Sequence, residues 1–277
     1  MSLTVDTGTE ELLCQIEDRV AKITLNRPEK RNALSDNLTP ALRQVLLDLD
    51  TRQDVGCLVI TGAGSAFCAG GDIGGMGAGS ADPDAPKPTI QERTRTLQHK
   101  HDTLTPRLFE HSKPTIAALP GVAAGAGFCI ALACDIRIAA ASAFVTTAYR
   151  NIGFSGDYGG SWLLNQLVGP AKTKELFYTA RRVQSDEALA LGIFNQVVPD
   201  DELTDATLKY AMEIAERGAF ALASIKAAFN ARHGGVGGLS RMAHDLLLRG
   251  YLTTDESKEL SSAFAERRSP DSDTFGH

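Results

Sequence analysis

The sequence predicts an α/β fold with a helical C-terminal region, and three observations carry that expectation. Two apolar, strand-like runs, one at Cys57–Thr61 and one starting at Thr115, each lead into a glycine-bearing turn and a helix-like segment. Strand and helix patterns alternate up to about residue 200, as layered α/β packing requires. Beyond that point only helical spacing remains, at 201–217, 219–232, 239–250 and 255–267. The expected division is a strand-bearing core at 1–200 and a helical region at 201–277.

Each element has a local reason. Leu12–Glu17 and Arg19–Leu25 read as a hairpin, because Ala21, Ile23 and Leu25 alternate with polar neighbours. The polar loop 26–32 follows. Leu38, Leu42, Val45, Leu46 and Leu49 then fall on one helical face. Thr39-Pro40 has the form of an N-cap followed by proline at the first helical position, and Ser35 competes as the cap. The Gly, Ala, Ser, Asp and Pro run at 74–88 predicts a loop. A polar helix is expected over 89–111, with His99 and His101 solvated on it, and a further strand over Ile136–Ala139.

Composition bounds the function classes. The chain has 277 residues, enough for a substantial core, with 43% hydrophobic and 22% charged residues, as in ordinary globular proteins. Its net charge of −6 argues against a surface that tracks nucleic-acid phosphates. Cys14, Cys57, Cys68, Cys129 and Cys134 form no CxxC pair and sit among apolar residues, so a reducing, cytoplasmic setting is expected. The start lacks the pattern of a signal peptide. Residues 114–134 are uncharged over a length that can span a bilayer. Pro114, Pro120, Gly121, Gly125 and Gly127 punctuate them, however, and favour a buried strand, turn and helix without membrane contact.

The two glycine turns carry the candidate chemistry. In Phe67-Cys-Ala-Gly-Gly-Asp72, Gly71 offers an uncovered N–H, and Asp72 is suited to cap a following helix. In the second turn, Ala126 lies between Gly125 and Gly127 where a helix begins, so its N–H has no intrahelical acceptor. Two such N–H groups aimed at one point would stabilise a developing oxyanion, which suggests carbonyl chemistry through an enolate. A third element, Gly153-Phe-Ser-Gly-Asp-Tyr-Gly-Gly-Ser-Trp162, sets Asp157 on a tight turn. There it reads either as a helix N-cap or as a general acid–base. No GxSxG elbow, HExxH or paired-cysteine metal spacing is present, and no metal is expected.

At these residues the chain resembles the crotonase family, the enoyl-CoA hydratases and isomerases. The resemblance runs from about Ile16 to Pro270. It rests on Thr24-Leu-Asn-Arg-Pro-Glu-Lys-Arg-Asn-Ala-Leu34, on Phe67–Asp72, on the run from Lys113 to Asp135 and on Gly159-Gly160. It implies a spiral of ββα units with a helical trimerisation region, in a homotrimer or hexamer. It also implies acyl-CoA thioester substrates, with coenzyme A as part of the substrate and no separate cofactor. The thioester oxygen would lie between the N–H groups of Gly71 and Ala126. Arg31, Ala33, Ala69, Asp72 and Ile73 would surround the coenzyme A, with Lys226 and Arg267 as further candidates for its phosphates.

The chain departs from the hydratases where they carry two glutamates, since Cys129 and Tyr149 stand at those positions, where they would contact the substrate. Asp157 falls where isomerase-type members carry their acid, and Asp-x-Gly-Gly-Ser-Trp is similar to the ring-epoxide isomerases of phenylacetyl-CoA degradation. One carboxylate suffices to move a double bond, whereas hydration calls for two, so isomerisation is favoured over hydration. The aryl-CoA dehalogenases are also similar, with a nucleophilic aspartate at position 157, an aromatic residue at 149 and a histidine near 101. Outside this family, Gly62 and Gly64 suggest an NAD-dependent oxidoreductase, although Phe67 replaces the third glycine of that fingerprint. A non-catalytic scaffold is the remaining class.

Overall fold

A computed structural model describes residues 2–72 and 89–231, together with residues 259, 262, 263, 266, 268 and 271. The chain opens with β1 (Leu3–Val5), β2 (Leu12–Glu17) and β3 (Val20–Leu25). Strands β2 and β3 form the expected hairpin, closed by Asp18 and Arg19 at φ 47° and 62°. Positive φ at both turn residues matches the twist of paired strands.

Helix α1 (Leu38–Thr51) buries Leu38, Leu42, Val45, Leu46 and Leu49, the predicted face. Asn37 precedes the helix without a side-chain cap, and Ser35 takes part at its start: the Ser35 hydroxyl accepts from the Leu38 amide at 3.0 Å. Thr39 sits inside the helix and donates its hydroxyl to the Ser35 carbonyl at 2.7 Å.

The core follows a repeating rule. It contains β4 (Cys57–Gly62), β5 (Ala66–Cys68), then α2 (Ile90–Asp102) and α3 (Thr105–Glu110). Next come β6 (Thr115–Leu119), β7 (Val122–Ala124) and α4 (Ala126–Ala133), followed by β8 (Ile136–Ala140), β9 (Phe144–Thr146) and α5 (Gly160–Thr179). The first strand of each pair enters one sheet and the second enters another. Strands β10 (Val183–Gln184) and β11 (Gln196–Val198), with α6 (Ser185–Ala190) between them, complete the sheets. The seven-stranded sheet runs β1-β2-β3-β4-β6-β8-β11, and the four-stranded sheet runs β10-β9-β7-β5. This arrangement is the spiral of ββα units that the resemblance implies.

The expected helix over 89–111 is two helices, because the chain leaves helical geometry at Thr103 and Leu104. Thr89 caps α2 in a reciprocal box with Glu92. The loop at 74–88 lies outside the described residues. The uncharged run 114–134 is buried but holds two strands, β6 and β7, before helix α4, where one strand was expected, and no helix among the described residues is long and apolar enough to cross a membrane.

Past residue 200, α7 (Leu203–Ala215) packs on β3, β4, β6 and β8, and α8 (Ala219–Ala231) follows it. The helices expected at 239–250 and 255–267 fall largely outside the described residues; Glu259, Ser262, Ala263 and Glu266 are helical.

Gly62 and Gly64 join β4 to β5, so their turn links two strands. A dinucleotide fingerprint needs a strand that turns into a helix. The oxidoreductase reading loses its structural context here.

Candidate active site

Residues 69–72 are held against the loop that follows β3. The Leu34 amide donates to the Gly70 carbonyl at 2.8 Å, and the Asp72 amide donates to the Leu34 carbonyl at 3.1 Å. In this parallel bridge the bonds to Leu34 come from the residues on either side of Gly71. The N–H and C=O of Gly71 itself therefore point away from Leu34. The Ala69 amide donates to the Arg31 carbonyl at 2.9 Å. Arg27 ties the same segments, donating to the Ala33 carbonyl at 2.7 Å and to the Asp72 carboxylate at 3.1 Å. That carboxylate was expected to cap a helix, and the cation of Arg27 is the partner seen beside it.

Asn32 is fully buried beneath this loop. Its carboxamide accepts from the Arg27 amide at 2.9 Å and donates to the carbonyls of Ala63 and Ala66 at 3.0 and 2.8 Å.

The second turn meets the first. Ala126 is the first residue of α4, after Gly125 at φ 51°, and no side chain caps this end. Its N–H is one of the orphan donors of a helix start, where the dipole is positive. A Cβ added to Gly70 would lie 2.9 Å from the Ala124 carbonyl oxygen, and one added to Gly127 would lie 2.3 Å from the Cys68 carbonyl oxygen. Only glycines allow the two turns to come this close.

Between the turns is a cavity of about 440 Å³. Gly71, Ala126 and Asp157 all line it, with Leu34, Arg43, Leu97, His101 and Tyr158 among their neighbours. Asp157 does not cap α5; its side chain accepts the Tyr149 hydroxyl hydrogen bond at 2.6 Å on Oδ1. The other carboxylate oxygen, Oδ2, lies 3.9 Å from His101 Nε2. The Cys129 sulfur is 3.1 Å from the Tyr149 hydroxyl.

Cys129 and Tyr149, expected to contact substrate, do not line the cavity and are buried behind Asp157. Burial pushes the Cys129 thiol up to about 12, and burial with the neighbouring Cys129 and Asp157 raises Tyr149 well above its usual range. Both stay protonated, so Tyr149 remains a donor.

His101 is the residue the sequence misjudged. It was expected to be solvated, yet its Nε2 is buried and its ring packs 4.4 Å from that of Tyr158. Desolvation lowers its pKa, opposed by Asp157 and Asp102. His99, two residues earlier, is exposed as expected. Arg43, Arg27, Asn32 and Tyr158 were also missed, because no local spacing distinguishes them from ordinary loop or helix residues.

Lys226 is not brought to the cavity. It pairs with Asp135 at 2.8 Å and lines a separate apolar hollow of about 490 Å³ with Leu132, Leu163 and Phe229. Ile73 and Arg267 lie outside the described residues.

The model of the enoyl-CoA hydratase/isomerase family matches residues 15–274. The chain belongs to this family. It is 36% identical over 221 residues to an Escherichia coli K12 protein named 1,2-epoxyphenylacetyl-CoA isomerase, covering 80% of this chain and 82% of that protein. Among solved structures it is similar to Pseudomonas aeruginosa DspI, with a TM-score of 0.85 and 28% identity over 95% of this chain and 97% of that one. It is also similar to an enoyl-CoA hydratase from Polaromonas sp. JS666, with a TM-score of 0.83 and 30% identity over 94% and 98% of the two chains.

As a member of the enoyl-CoA hydratase/isomerase family the chain is an enzyme of the crotonase type, and the family acts on acyl-CoA thioesters. Cys129 and Tyr149 are hydrogen-bonded to one another, and among the described residues three carboxylates line the cavity, those of Asp36, Asp72 and Asp157.

Proposed function

We propose that this chain is an acyl-CoA isomerase that moves a double bond through an enolate, with Asp157 as the acid–base. The observation that carries the reading is the shared cavity. Backbone from two separate turns, at Gly71 and Ala126, and the carboxylate of Asp157 line it together. The isomerase name of the Escherichia coli relative supports isomerisation over hydration.

In this reading the thioester oxygen accepts from the N–H groups of Gly71 and Ala126. Oδ2 of Asp157 takes a proton from one carbon of the acyl group, and the C–H electron pair passes to the thioester oxygen as an enolate. The two amides stabilise that oxyanion as it forms. The protonated Asp157 then returns the proton to a different carbon, the carbonyl reforms and the double bond has moved. Nothing is gained or lost from the substrate. Tyr149 holds Oδ1, which leaves Oδ2 for this transfer.

Arg31, Ala33, Ala69, Asp72 and Ile73 hold the coenzyme A, which is part of the substrate, and no further cofactor takes part. Assembly into a homotrimer or hexamer belongs to the same proposal, supported by Ile225 and Phe229, 54% and 66% exposed on α8. So does a cytoplasmic setting, supported by five free, buried cysteines.

One observation favours a second reading. His101 lies 3.9 Å from Asp157, with aromatic Tyr149 behind it, and this supports the resemblance to the aryl-CoA dehalogenases, whose histidine falls near position 101. There the carboxylate displaces halide from the ring, and water then cleaves the resulting ester. A mass-spectrometric screen of enoyl-CoA and aryl-CoA thioesters separates the cases. Unchanged mass with altered retention supports isomerisation. Loss of halide supports the second reading, and gain of one water would make the chain a hydratase.

A further inference from the structure

We infer that the ring of Tyr158 is the wall that ends the acyl cavity, so that this one side chain sets the longest acyl group the protein accepts. The inference rests on the acyl-thioester reading above and adds a limit on the acyl part of the substrate.

Behind the turn at 157–159 lies a second hollow of about 290 Å³, with Phe109, Trp162 and Leu163 on its wall. Among the described residues, Tyr158 is the one that lines both this hollow and the cavity holding Gly71, Ala126 and Asp157. Its two ends face opposite ways. The ring packs 4.4 Å from that of His101, and a side-chain hydrogen bond joins it to Arg43; both of these residues line the first cavity. The Tyr158 carbonyl accepts from the Thr105 hydroxyl at 2.9 Å, and Thr105 lines the hollow. The wall is one residue thick and is pinned on both faces.

The backbone supports a role for the side chain. Tyr158 sits at φ 47°, in the left-handed region that a bulky residue seldom adopts and glycine enters freely. Gly156 and Gly159, in the same turn, hold φ 111° and 71°. A ring kept where the backbone favours glycine marks a position held for what that ring does.

Exposure sets the direction of entry. At one side of the first cavity the side chains of Asp36 and Lys100 are 98% and 44% exposed. At Asp157 and His101 the values fall to 26% and 22%. An acyl group entering past Asp36 runs from solvent towards Asp157, and the next side chain along the turn is Tyr158. Each methylene that finds apolar cover tightens binding roughly fourfold, and one that meets the fixed ring adds nothing.

Saturated straight-chain acyl-CoA thioesters, lengthened two carbons at a time, test this by calorimetry. Having no double bond to move, they report recognition apart from proton transfer. In wild type the affinity should climb with length and then break. Tyr158→Gly suits this backbone and removes the ring; Tyr158→Asn, which also tolerates positive φ, is the second variant. Either should carry the break to longer chains, raising the ratio of affinities across the wild-type break roughly 10-fold. Tyr158→Phe keeps the ring and should keep the wild-type ratio. Because each ratio is taken within one protein, partial loss of folded chain does not mimic the shift.

Trp162, the one tryptophan of the sequence, reports where the longer chain goes. A thioester one step beyond the break, with bromine on its last carbon, should quench its fluorescence in Tyr158→Gly and not in wild type. The inference is overturned if wild-type affinity climbs without a break, or if the break stays in place in both variants. It is equally overturned if Tyr158→Phe moves the break, or if the break moves without quenching. In each of those cases the isomerase reading stands. If no acyl-CoA binds to wild type, both fall.

Discussion

The Tyr149 hydroxyl donates to Oδ1 of Asp157 at 2.6 Å, so a residue outside the cavity sets the carboxylate inside it. The turn between them uses Gly153 and Gly156 at φ 71° and 111°. Hydrogen bonds to a charged group contribute about 1.5–3 kcal/mol. Tyr149→Phe keeps the buried ring and removes this bond. We expect kcat to fall roughly 10- to 100-fold with KM little changed. Hydrogen–deuterium exchange into a 3-enoyl-CoA reads the effect, and a rate within about twofold of wild type would remove Tyr149 as a positioning residue.

Asp157→Asn tests the proton carrier itself. General acid–base groups contribute about 10²–10⁴-fold, and the loss should fall in that range while coenzyme A binding persists. Undiminished isomerisation of every active thioester would exclude Asp157 from the chemistry.

Ala126→Pro deletes one amide donor at the helix position that tolerates proline best, since its N–H has no intrahelical partner. Losing an oxyanion donor costs about 10²–10³-fold in kcat. Circular dichroism should remain that of the parent, separating lost catalysis from lost fold.

Gly127→Ala probes the contact between the turns. The added methyl would lie 2.3 Å from the Cys68 carbonyl oxygen and 2.6 Å from its Cβ, and both are held in packed structure. Overpacking of this kind costs about 1–3 kcal/mol or more. A urea midpoint equal to that of the parent would mean the turns separate easily.

His111 makes the fold sensitive to acid. It is buried, its Nε2 contacts the Leu46 carbonyl at 3.2 Å, and its Nδ1 accepts from the Lys113 amide at 3.1 Å. Burial lowers its pKa from 6.5 to about 4. The folded state therefore binds fewer protons than the unfolded state between those values, and stability falls as pH drops through them. The loss is on the order of 3 kcal/mol. Urea unfolding at pH 7 and pH 4.5 should show wild type losing more than His111→Gln; equal losses would contradict the linkage.

Much of this architecture was legible in the chain itself. The α1 stripe of Leu38, Leu42, Val45, Leu46 and Leu49, the β2–β3 alternation and the glycine turns at 70–71 and 125–127 all reflect constraints acting over a few residues. Side-chain period, missing Cβ atoms and orphan helix donors do not need a partner segment to be recognised. The motifs carrying the crotonase resemblance are of this kind, and so is the placing of Asp157 on a turn.

The outcome differed where distant segments meet. The polar sequence around His101 gives no sign of burial, because the ring of Tyr158 and the carboxylate of Asp157 come from a different part of the chain. Arg43 lies beside the apolar stripe of α1 and became a cavity residue only when α2 and the turn at 157–159 closed over it. Cys129 and Tyr149 lie too far apart in sequence to suggest that they meet behind Asp157. Sequence by itself indicated most of the elements and the positions of the glycine turns, since those follow from short-range sterics. Which side chains share the cavity is a matter of long-range packing, and only the tertiary structure decided it.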